Sequence, residues 1–85
     1  MMTREELIVQ ENKKLRRLQL MVDLTIQILY QSEGLTLHQG LEYINQVRKY
    51  AIGLFPRKGK TFDLIYRPRL LRVLQERGII GFTSN

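Results

Sequence analysis

The stretch Leu15–Tyr30, LRRLQLMVDLTIQILY, restricts the possible folds of this chain more than any other. At 100° per residue its polar side chains Arg16, Gln19, Asp23 and Gln27 gather on one narrow stripe. Leu15, Leu18, Met21, Val22, Leu24, Ile26, Ile28 and Leu29 fill most of the remainder. A surface helix usually carries an apolar stripe of roughly 100–140°, whereas this one spans roughly 240°. It therefore needs cover from at least two sides.

The helix that contains this stretch has a defined start. Thr3-Arg-Glu-Glu6 fits a capping box, and Met2 and Leu7 occupy the positions of a hydrophobic staple. No glycine or proline follows before Gly34, so the spacing predicts one helix over Arg4–Gln31, about 42 Å long. Its N-terminal third offers only Leu7, Ile8 and Val9 as apolar residues. Ile8, Leu15, Val22 and Leu29 recur at heptad spacing, but the companion positions Glu11, Leu18 and Thr25 are too mixed for a long coiled coil.

Ser32-Glu33-Gly34 makes a turn, with Gly34 in the left-handed position after a helix end. Thr36-Leu-His-Gln39 is a second capping box, opening a helix from Leu37 to about Phe55 that Pro56 stops. Leu37, Leu41, Ile44, Val47, Ala51, Leu54 and Phe55 form its expected core face, and Glu42, Gln46 and Lys49 face water. Gly40 lies on the apolar side, where it costs about 1 kcal/mol relative to alanine. A close approach of two helix backbones would compensate. The short turn makes the two helices antiparallel and brings Phe55 level with about Asn12. Residues 4–11 then overhang the hairpin, and Leu7 and Ile8 become the predicted contacts with a second copy.

The last third divides at Pro68. Thr61 is a plausible N-cap for a helix over Phe62–Tyr66, with Asp63 placed against the helix dipole. Pro68 removes a backbone donor and disfavours helical backbone at Arg67. Phe62, Tyr66, Leu70, Val73 and Leu74 nevertheless keep one helical phase. The pattern predicts a helix near 62–66 and another near 68–77, split or fused into one kinked helix. Gly78, Ile79 and Leu74 fit the C′, C″ and C3 positions of a Schellman motif. Ile80 and Phe82 are candidate core residues, and Thr83–Asn85 a frayed end. The expected architecture is all-α: one domain over residues 1–85, a small helical bundle with a long N-terminal helix, an antiparallel second helix and a Pro-kinked or split third.

With 85 residues such a domain buries roughly 60–65% of its unfolded surface, enough for one modest core. There is no cysteine, which excludes a disulfide framework, a thiolate metal site and a cysteine nucleophile. The acidic start, Thr3-Arg-Glu-Glu6, does not resemble a secretory leader, and no apolar run approaches the about 20 residues of a membrane span. A soluble, cytoplasmic protein without membrane contact is expected. His38 is the only histidine and falls on the polar side of the second helix. Ser32 and Ser84 lack an evident base, and Pro56-Arg-Lys-Gly-Lys60 lacks the Walker A spacing. These residues predict no catalytic site, no metal and no cofactor.

Charge gives the functional hint. Of the net +6, residues 56–85 carry Arg57, Lys58, Lys60, Arg67, Arg69, Arg72 and Arg77 against Asp63 and Glu76. The hairpin geometry sets the loop Arg57–Lys60 beside Lys13, Lys14, Arg16 and Arg17. Together with Arg67, Arg69 and Arg72 these make a candidate basic pole, and the planar donor fork of arginine suits carboxylates and phosphates alike. The competing reading is a solvated face, with Arg72 and Glu76 paired along one helix and Arg77 complementing the helix dipole. About 12 residues separate the second helix from the helix after Pro68, unlike the 3–4-residue turn of a helix-turn-helix. The sequence thus favours a non-enzymatic interaction or regulatory module, homodimeric, binding an acidic partner through the basic pole. The alternative is a nucleic-acid-binding protein using non-specific phosphate contacts. A helical enzyme that binds an anionic metabolite is the remote alternative.

Overall fold

The long helix begins where its cap places it: the Thr3 hydroxyl accepts from the Glu6 N–H at 3.2 Å, though no reciprocal bond from Glu6 completes the box. The computed structural model describes residues 1–81, and among them the regular structure is entirely helical. The helices are α1 (Arg4–Gln31), α2 (Leu37–Leu54), α3 (Gly59–Ile65) and α4 (Arg67–Glu76). The second capping box forms in full, Thr36 and Gln39 each accepting from the other's backbone at 3.1 Å. Gly34 and Gly78 both have positive φ, 67° and 72°. At the end of α4 the Ile79 N–H donates to the Leu74 carbonyl at 2.9 Å and Gly78 to Gln75 at 3.0 Å, the Schellman pairing.

The third helix differs from its expected course. It starts at Gly59, so Thr61 is internal to α3 and does not cap it, and Lys58 at the N-cap makes no side-chain capping bond. Arg67 is helical, and the bend falls at Tyr66 (φ −93°, ψ −38°). Pro68 sits in the first turn of α4, where its missing N–H is least costly. Its would-be acceptor is the carbonyl of Leu64, a residue 76% exposed and so open to water.

The core is a single cluster: Leu18, Val22 and Leu29 of α1, Ile44, Val47 and Ala51 of α2, Phe62 of α3, and Leu70, Val73 and Leu74 of α4. Leu41, Leu54, Phe55 and Ile80 pack against it part-buried, while Leu37 is 42% exposed. Phe82 lies outside the described residues. Helix α1 rests on α2 and α4, and α3 bridges α2 and α4 with its backbone more than 8 Å from that of α1. Helix α4 runs in the same direction as α1, because Tyr66 and Arg69 flank Gln19–Asp23 while Glu76 and Arg77 bond to Tyr30 and Leu29.

Two-sided cover of α1 is only partly achieved. Leu20 and Leu24 are 62% and 49% exposed, and Leu15 is also exposed. No residue before Leu18 is buried. Packing therefore starts at Leu18, leaving residues 4–14, about 16 Å of helix, projecting beyond the bundle, three residues more than the expected overhang of 4–11. Among the described residues no helix is long and apolar enough to cross a membrane.

Candidate functional site

Three of the expected site residues come together where α3 meets α4. Arg67, Arg69 and Arg72 line a shallow depression of about 550 Å³ whose remaining walls include Asp63, Pro68 and Leu71. Asp63 is committed elsewhere. Arg48 grips it with two donors, Nε to Oδ1 at 2.7 Å and Nη2 to Oδ2 at 3.0 Å, the fork geometry that makes arginine–carboxylate pairs strong. The Arg48 hydrogen bond holds the Asp63 carboxyl below the usual carboxylate range; desolvation opposes this, and the charges of Arg48 and Arg67 reinforce it. Asp63 thus clamps α3 to α2 and is not spent on a helix dipole.

Arg72 lies farther along. Its charge reaches Tyr30, whose phenol is pushed up first by its hydrogen bond to Glu76, then by burial and by the Glu76 charge, with Arg72 acting in the opposite sense. Glu76 accepts from the Tyr30 hydroxyl and forms no ion pair with Arg72. Tyr30 is about 20 Å along α1 from Arg17. Arg69, by contrast, stands beside Gln19–Asp23, within about two turns of Arg17, so the basic residues of α4 extend from the neighbourhood of Lys13–Arg17 toward Tyr30. Lys14 is taken by Glu11 at 3.4 Å, and Arg77 donates through Nη1 to the Leu29 carbonyl at 2.5 Å. Lys13, Arg16, Arg17, Arg57, Lys58, Lys60, Arg69 and Arg72 have no ion-pair partner among the described residues.

Where the α3 backbone stands off α1, an apolar groove of about 260 Å³ opens between Leu15 and Leu18 on one side and Phe55, Phe62, Ile65 and Tyr66 on the other. Lys58 stands at its rim. Leu7 and Ile8, the expected contacts with a second copy, project beyond it at 48% and 51% exposure. His38 is exposed in the first turn of α2, and no three His, Asp or Glu side chains gather among the described residues. Among the described residues the one buried polar side chain, Thr25, donates to the Met21 carbonyl at 2.7 Å.

Sequence reasoning passed over Arg48, Tyr30, the role of Arg77, and the groove. Arg48 had a signal: it falls between Leu41 and Ile44 in helical phase, on the apolar side of α2, where a guanidinium requires a carboxylate. The groove had none, because it depends on how far α3 stands from α1. No protein-family model matches the chain, and neither the curated proteins nor the solved structures contain a significant match.

Proposed function

We propose that this protein is a homodimeric interaction module that holds an acidic segment of a partner protein on the arginines of α4. The observation that carries this reading is the depression shared by Arg67, Arg69 and Arg72, whose one carboxylate among the described residues, Asp63, is already bound by Arg48. Two further features suit a peptide. Pro68 and Leu71 supply apolar walls beside the charges, and guanidinium forks bind carboxylates in pairs. The aromatic residues near these arginines are unsuited to stacking on bases, since Phe62 is buried and Tyr66 is part-buried.

Nucleic acid is the second reading, favoured by the length over which basic residues are distributed. A titration decides between them. A glutamate-rich peptide, duplex DNA and single-stranded RNA are each tested at several salt concentrations against the wild-type chain and the Arg69→Glu/Arg72→Glu variant. The expected result is saturable peptide binding, weakened tenfold or more by the double substitution. Tighter binding of nucleic acid, with log affinity falling by about 0.9 per phosphate contact on duplex, would transfer the function to the second reading. Binding of none of the three at low salt would overturn both.

A further inference from the structure

We infer that the projecting N-terminal part of α1 seats in the apolar groove of a second copy, the two long helices crossing antiparallel about a two-fold axis. This deepens the homodimer reading by assigning its interface. The side of α1 that enters the core through Leu18, Val22, Thr25 and Leu29 continues toward the N-terminus as Leu15, Glu11, Ile8 and Leu7. Among the described residues nothing buries that continuation. Beside it lies the groove, unfilled because the α3 backbone stands off α1, with Leu15 and Ile65 exposed on opposite walls. The molecule therefore presents an apolar ridge and an apolar slot joined through one helix.

Charge selects the occupant and its direction. Residues 1–11 carry Glu5, Glu6 and Glu11 against Arg4, whereas residues 12–17 carry Lys13, Lys14, Arg16 and Arg17 with no acid. The loop at the groove adds Arg57, Lys58 and Lys60. In an antiparallel crossing the acidic end of each α1 meets the basic stretch and basic rim of the other, and Glu11 faces the partner's lysines as well as Lys14 of its own chain. A parallel pairing would set acid against acid and leave both grooves empty. A head-to-tail arrangement would propagate without closing, whereas the two-fold fills both grooves at once.

The test uses the full chain, and the absence of native cysteine makes introduced thiols unique. Light scattering across a concentration series is measured for wild type, Leu7→Glu/Ile8→Glu and Leu20→Glu/Leu24→Glu, each checked for unchanged helicity. Separately prepared Ile8→Cys and Ile65→Cys chains are then mixed under mild oxidation. The expected results are twice the chain mass for wild type and for the Leu20/Leu24 variant, and the chain mass for the Leu7/Ile8 variant. Disulfide-linked dimer should form in the mixture in at least fivefold excess over either chain alone. A wild-type dimer that survives Leu7→Glu/Ile8→Glu, or that gives no mixed disulfide, overturns this interface and leaves the homodimer standing. A wild-type chain that stays monomeric to high micromolar concentration overturns both.

Discussion

Gly40 shows how one missing methyl group positions a helix. A Cβ at this site would stand 2.8 Å from Leu74 Cδ2 and 3.1 Å from Cδ1, and Leu74 is fully buried. The close approach inferred from a glycine on the apolar side of α2 is real, but a leucine side chain makes it, not a second backbone. Overpacking of this kind costs about 1–3 kcal/mol, against a gain of about 1 kcal/mol in helix propensity. Gly40→Ala should therefore lose up to about 2 kcal/mol in urea denaturation. Leu74→Ala alone should cost about 2–5 kcal/mol, and in that background Gly40→Ala should become neutral or stabilising. The absence of that sign change would show that Leu74 does not fill the space. A second residue-scale test concerns Asp63. Its folded pKa is depressed by Arg48, so the clamp contributes stability above the unfolded value of about 3.9 and loses it as pH falls through the lower folded value. In thermal melts from pH 6 to pH 2, wild type should exceed Asp63→Asn at the upper end and the difference should shrink below about pH 4. A constant gap across the series would remove the ion pair as its cause.

At the scale of the helix, ends matter more than interiors. The last turn of α1 has no basic residue, and Arg77 at the end of α4 supplies one by donating to the Leu29 carbonyl. That contact joins a charge-assisted hydrogen bond to a favourable place in the helix dipole. Arg77→Ala should lower stability by about 1.5–3 kcal/mol, and amide exchange should accelerate at the C-terminal turn of α1 before it does in α2. Uniform acceleration across both helices would argue for a global effect instead. The difference between local and tertiary control also explains which elements were legible in the sequence. Helices α1 and α2 have boundaries written by Thr3, Gly34, Thr36 and Pro56, and both run as those residues predict. Helix α3 has no such punctuation. Its start at Gly59 lies against Arg48, whose Nη2 would stand 3.1 Å from a Cβ there and which bonds Asp63 one turn on. Those partners are on another helix, and residue-by-residue propensity cannot see them. The site was legible to the same degree: the arginines of α4 were identified by type, but their distance from Lys13–Arg17 depends on α4 running alongside α1.

The shape of the whole molecule follows from the mismatch between a long first helix and two shorter layers. A globular chain of this length has a radius of gyration of about 12 Å. This one has 15.1 Å, with extents of 50 × 29 × 16 Å. The excess comes from the projecting part of α1, which takes no share in the core, since the first buried residue is Leu18. The two parts of α1 should then separate cleanly. A chain lacking residues 1–11 keeps every buried side chain, the Arg48–Asp63 clamp and the Arg77 contact, so its thermal unfolding should remain cooperative, with a midpoint within several degrees of the monomeric Leu7→Glu/Ile8→Glu variant. Small-angle scattering should show it shrinking toward the globular value. It should also associate with wild type far more weakly than wild type does with itself, because only one of the two ridge-and-groove contacts of the two-fold remains. If the shortened chain unfolds instead, then residues 4–11 stabilise the bundle within one copy, and the division of α1 into a core half and a partner half is wrong. If it folds and still dimerises, the division stands and the partner surface lies elsewhere, with the exposed Leu20 and Leu24 next in line.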